Sequence, residues 1–106
     1  MKLIIAVVHN DDANILNEKL NSAGFHLTKV SSTGGFLRSG NSTFLSGVEN
    51  ERTDEFIDIV AKNCSRRTEE LPDMHIGMSR YTNYPNKITV GGANIFIIDI
   101  EKYIRV

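Results

Sequence analysis

An α+β fold in the order strand, helix, strand, strand, helix, strand is predicted by three features of the sequence. Residues 3–8 (LIIAVV) form a continuous apolar, largely β-branched run that stops at HNDD, which is strand length rather than helix length. Two later stretches repeat apolar residues at helical spacing behind an Asp or Asn. Between and after them, short runs rich in Thr, Val, Ile and Phe alternate with glycine-bearing turns. This order is the split βαβ, or ferredoxin-like, arrangement: an antiparallel sheet with both helices on one face. At 106 residues the chain fits one domain over 1–106.

Taken in order, the first strand reads as buried on both faces because its apolar run does not alternate. Asp11 or Asp12 is the expected cap of the first helix, since a carboxylate there accepts orphan backbone N–H groups. In that helix Ile15, Leu16, Leu20 and Ala23 fall on one side, with Asn14, Asn17, Glu18 and Asn21 opposite. Gly24 is the expected C-terminal stop. Residues 25–32 (FHLTKVSS) then set Phe25, Leu27 and Lys29 against His26, Thr28 and Val30 as a second strand.

The turn-rich TGGFLRSGN leads into STFLSGV, a third strand in which Phe44 or Leu45 faces the core. Asn50 can cap a second helix whose apolar face is Phe56, Ile57, Val60, Ala61 and Cys64. Residues 65–85 are the least regular part, with two prolines and a charged start, and a loop of that length in a small domain is often functional. Residues 87–100 (KITVGGANIFIIDI) read as one last strand interrupted by Gly91-Gly92, and EKYIRV ends the chain.

Two helices cover only one face of such a sheet, yet the first and last strands are apolar at consecutive positions. The second face would be an apolar patch too large for a soluble monomer. The strand pattern therefore predicts an oligomer.

Composition narrows the function. A net charge of -1 argues against a binder of nucleic-acid polymers, which needs a basic field against phosphates. No apolar run reaches the ~18 residues that span a bilayer, and the start lacks a signal-peptide cleavage site. Cys64 is the single cysteine, which fits a reducing compartment and a cytoplasmic location. The Ser, His and Asp residues form no nucleophile-elbow or metalloprotease pattern, so catalysis is not expected. His9, His26 and His75 show no metal-ligand spacing, so neither metal nor cofactor is expected; His9 and His75 read as surface or strand histidines.

Residues 28–47 (TKVSSTGGFLRSGNSTFLSG) stand apart, because each glycine there costs conformational entropy that packing alone would not require. Hydroxyls at Thr28, Ser32, Thr33, Ser42 and Thr43, the Asn41 amide and backbone at Gly34, Gly35, Gly40 and Gly47 can ring a phosphate. Lys29 and Arg38 offer charge, and Phe36-Leu37 can hold a base by stacking and apolar contact. The segment reads as a site for a small anionic molecule. The bland alternative is a hairpin whose Phe36 packs on a neighbouring subunit.

The stretch TKVSSTGGFLRSGNSTFLSGVENER, with KLIIAVVHNDD and ITVGGANIFII, resembles the PII-like cyclic-di-AMP receptor family of Gram-positive bacteria, relatives of the PII signalling proteins. The similarity covers about residues 1–65 and 86–100. It implies a PII-like homotrimer that binds cyclic-di-AMP between subunits and signals to a downstream protein through flexible loops, without enzymatic activity. It also implies a site: Thr28 and Asn41 as polar contacts, and Gly35, Phe36 and Leu37 as the loop holding an adenine. Gly47 and Gly92 would be cleft-lining backbone and Phe96 an aromatic wall. His26 stands where the family commonly has an arginine, so a planar cation is replaced by a smaller ring. Residues 76–85 are shorter than the family's MGG-containing, tyrosine-rich stretch, and Arg105 lies near a common glutamine. These departures support a second expectation, a PII-like trimer that has lost cyclic-di-AMP and serves as a protein-interaction module or binds another nucleotide. A metal-binding trimer of the same architecture is less supported, since its ligand cluster is missing.

Overall fold

The computed structural model describes residues 1–30, 40–65, 67–70 and 87–106. A four-stranded antiparallel sheet is built from β1 (Lys2–His9), β2 (Thr28–Val30), β3 (Asn41–Val48) and β6 (Ala93–Asp99) in the order β2-β3-β1-β6. Helix α1 (Asn10–Ser22) follows β1, and α2 (Thr53–Cys64) follows β3. The fold is the expected ferredoxin-like, PII-like one.

Pairing register fixes which residues share a face. Ile4, Ala6 and Val8 of β1 lie opposite Ser46, Phe44 and Ser42 of β3, and all six are buried under the helices. Leu16 and Leu20 of α1 and Phe56, Val60 and Cys64 of α2 complete that core. Phe44, rather than Leu45, is the inward residue of β3. Phe25 and Phe56 meet edge to face with centroids 5.2 Å apart, a geometry worth about 1 kcal/mol beyond the area buried.

Helix α1 ends as expected. Gly24 adopts φ +91°, the Gly24 N–H donates to the Asn21 carbonyl, and the Phe25 N–H donates to that of Leu20. This double closure satisfies the last carbonyls, and Phe25 and Leu20 are both buried beneath it.

Four expectations are corrected. The cap of α1 is His9, whose Nδ1 accepts the Asp11 N–H at 3.2 Å, because β1 runs into the helix without a turn and the strand's last side chain reaches the orphan donor. Asp11 and Asp12 still favour the positive end of the helix from its first turn. Ile15 is 49% exposed, since the helix buries the stripe Ala13, Leu16 and Leu20 instead. A 3₁₀ turn, Asn50–Arg52, precedes α2, with the Thr53 hydroxyl donating to the Asn50 carbonyl, so Asn50 does not cap by its side chain.

The last correction concerns 87–100. It is two strands in two sheets: β5 (Lys87–Val90) pairs with β4 (Arg67–Glu70) as a separate ribbon, and β6 joins the main sheet. Gly91 and Gly92, at φ +79° and +93°, turn the chain between them, a conformation that glycine takes without steric cost. The Gly92 N–H donates to the Cys64 carbonyl, which ties the base of the ribbon to the end of α2.

Candidate functional site

The second face of the sheet carries Thr28, Asn41, Gly47 and Phe96, four of the residues that the sequence singled out. Leu3, Ile5 and Val7 of β1 point there, opposite Gly47, Leu45 and Thr43 of β3 and Ile98, Phe96 and Asn94 of β6. No helix among the described elements covers it. The β1 residues are half-buried, whereas Phe96 and Ile98 keep 47% and 48% of their surface exposed. The both-faces burial expected of the first and last strands is therefore only partial in one chain, and β6 is largely uncovered.

Thr28, Leu45, Ile5 and Phe96 form one row across this face. Thr28 lies on edge strand β2 and Phe96 on edge strand β6, three strand spacings apart, or about 14 Å. Asn41 and Gly47 stand at opposite ends of β3, six residues or about 20 Å apart. These four predicted residues are thus distributed over one face rather than gathered into one pocket. Gly35, Phe36 and Leu37 lie outside the described residues, as does most of the 65–85 stretch.

At one end of β3, His26 and Gly47 line a cleft of about 340 Å³ with Phe25, Arg52 and Tyr103. His26 is exposed there, and its carbonyl accepts the Ser46 hydroxyl at 2.8 Å. Arg52 is a cation the sequence reading missed. Its guanidinium sits 4.1 Å from the Phe25 ring centroid, donates to the Ala23 carbonyl and pairs with Glu55. A planar cation therefore stands in the cleft that holds His26, supplied from the 3₁₀ turn before α2.

At the other end, the Asn10 N–H donates to the Gly40 carbonyl at 2.8 Å, and the Ser42 hydroxyl donates to Asn10 Oδ1 at 2.6 Å. These bonds lock the start of α1 to the strand that leaves the 31–39 segment. Gly92 lies beside a second cleft of about 570 Å³, lined by Ile57, Val60 and Ala61 of α2 and by Asn94 and Ile95.

Two surface ion pairs perturb their own titration. The hydrogen bond and charge of Lys2 hold the Asp99 carboxyl below its ordinary range, and Asp58 raises Lys62 in the same way. Both lie outside the clefts. Among the described residues no group of His, Cys, Asp and Glu could hold a metal ion, and no helix is long and apolar enough to cross a membrane.

A family model described as cyclic-di-AMP receptor matches residues 1–106, including the stretches left out of the resemblance read from the sequence. A crystal structure of a functionally unknown protein from Pediococcus pentosaceus ATCC 25745 is similar at 36% identity and a TM-score of 0.80. The match covers 99% of this chain and 96% of that one.

Proposed function

The chain belongs to the cyclic-di-AMP receptor family, and on that premise we propose that it binds cyclic-di-AMP in clefts between the subunits of a cytoplasmic homotrimer. It acts by binding, not catalysis. The observation that carries the reading is the placement of Thr28 and Phe96 on opposite edges of one uncovered apolar face. Contacts about 14 Å apart on one chain are brought to a common ligand when the β2 edge of one copy approaches the β6 edge of the next. The same assembly buries Phe96 and Ile98, which removes the apolar patch.

Signalling follows from where the contacts lie. Asn41 adjoins the segment 31–39, which holds Gly35, Phe36 and Leu37, and Gly92 ends the β4–β5 arm. Ligand held by both shifts these segments toward the arrangement that binds it better, and a downstream protein reads the difference. Phe36→Ala and Asn41→Ala should each weaken cyclic-di-AMP binding while the oligomer persists. Wild-type affinity in both variants would sink this site.

The replacement of the family's arginine by His26 favours a second reading, in which cyclic-di-AMP is no longer the ligand and the trimer serves as an interaction module. Because His26 is exposed in an open cleft, His26→Arg can be accommodated. Binding that appears only in that variant would establish this second reading.

A further inference from the structure

We infer that His9 is a ligand-contacting residue of the cyclic-di-AMP site, donating a hydrogen bond from Nε2 to an acceptor atom of the dinucleotide. The inference rests on the proposed receptor function and adds a residue to its site.

The sheet register places His9 directly beside a proposed contact. His9 pairs with Asn41 of β3, and the pairing of β1 with β6 ends one residue before it, at Val8 with Ala93. Asn41, a proposed contact, lies directly across from His9, and Gly92, another, directly precedes Ala93 in the chain. The Asn10 N–H donates to the Gly40 carbonyl, so the adjacent pair of His9 with Asn41 is the non-hydrogen-bonded kind, in which side chains stand closest. The His9 side chain is 38% exposed and open to a ligand.

The hydrogen bonds also fix what His9 can do. Its Nδ1 accepts the Asp11 N–H, so in the neutral ring the proton resides on Nε2, which is a donor only. A second observation points to the same end of the face. Thr43, two residues along β3 from Asn41, is 4% exposed, and its Oγ1 has no hydrogen-bond partner among the described residues. With Asn94 across from Val7, the face thus ends in a polar group of His9, Asn41, Thr43 and Asn94, beyond the apolar rows of Leu3, Ile5 and Leu45. Such a polar edge suits a polar ligand better than a dry packing surface.

The test separates the cap from the contact. His9→Ser keeps an oxygen able to cap α1 but removes the ring donor. The expected result is an unchanged melting temperature with cyclic-di-AMP binding about tenfold weaker, the scale of one neutral hydrogen bond. In the wild-type protein the His9 Nε2 and its proton should shift in nitrogen-edited NMR on adding cyclic-di-AMP, a response that capping alone does not give. Wild-type binding with equal affinity in His9→Ser overturns the assignment of His9 and leaves the receptor reading standing. Absence of binding in the wild-type protein overturns both.

Discussion

Ile98→Asp isolates the claim that the uncovered face is an interface. Ile98 lies on edge strand β6 opposite Leu3, is 48% exposed, and is not among the proposed ligand contacts. Complete burial of an isoleucine side chain is worth about 2–3 kcal/mol, so covering the exposed half contributes about 1 kcal/mol. A carboxylate in its place stays hydrated in a lone chain but is stranded without a partner in an assembled one, at a further cost of about 3 kcal/mol. Together these weaken each contact by about 4 kcal/mol, about a thousandfold. Sedimentation equilibrium at micromolar concentration should give a trimer for the native chain and a monomer for Ile98→Asp, with the same far-ultraviolet circular dichroism. A variant that keeps the trimer mass would refute the reasoning, because no buried interface would then contain Ile98.

Two further predictions concern the fold itself. Gly24→Ala should lower stability by about 1 kcal/mol, measured by urea denaturation, because φ +91° strains any residue with a Cβ. Its nearest contact would be the Arg52 guanidinium at an ordinary 3.7 Å, so the loss comes from the backbone rather than from a clash. In Asp99 the native carboxyl pKa is depressed by the hydrogen bond and charge of Lys2. The pair's contribution is therefore present above the unfolded-state pKa and lost as pH falls through the folded one. NMR titration of Asp99 should show a midpoint below the ordinary carboxylate range that rises in Lys2→Met.

Strand β1 and the end of α1 were legible because one local signal decided each of them. LIIAVV could only be a strand, and Gly24 followed by Phe25 closes α1 by the pattern its sequence announces. His9 as a cap was not legible, because the usual capping residues stood just after it and only the absence of a turn between β1 and α1 decides the matter. The pair Gly91-Gly92 was visible, but sequence cannot distinguish a bulge from two left-handed glycines that send the chain into a second sheet. Strand β4, RTEE, carries no apolar alternation to announce it.

The site was legible as a set of residue types and not as a place. Arg52 joins the His26 cleft through Phe25, 27 residues earlier in the chain, a contact that no local pattern encodes. The distribution of Thr28, Asn41, Gly47 and Phe96 over one face became apparent only from the register, which depends on long-range pairing.

Calorimetric titration of the purified native protein with cyclic-di-AMP, with cyclic-di-GMP and ATP as controls, tests the central claim most directly. The account predicts saturable heat for cyclic-di-AMP alone, at one ligand per subunit. No heat from a protein confirmed as a trimer would contradict it.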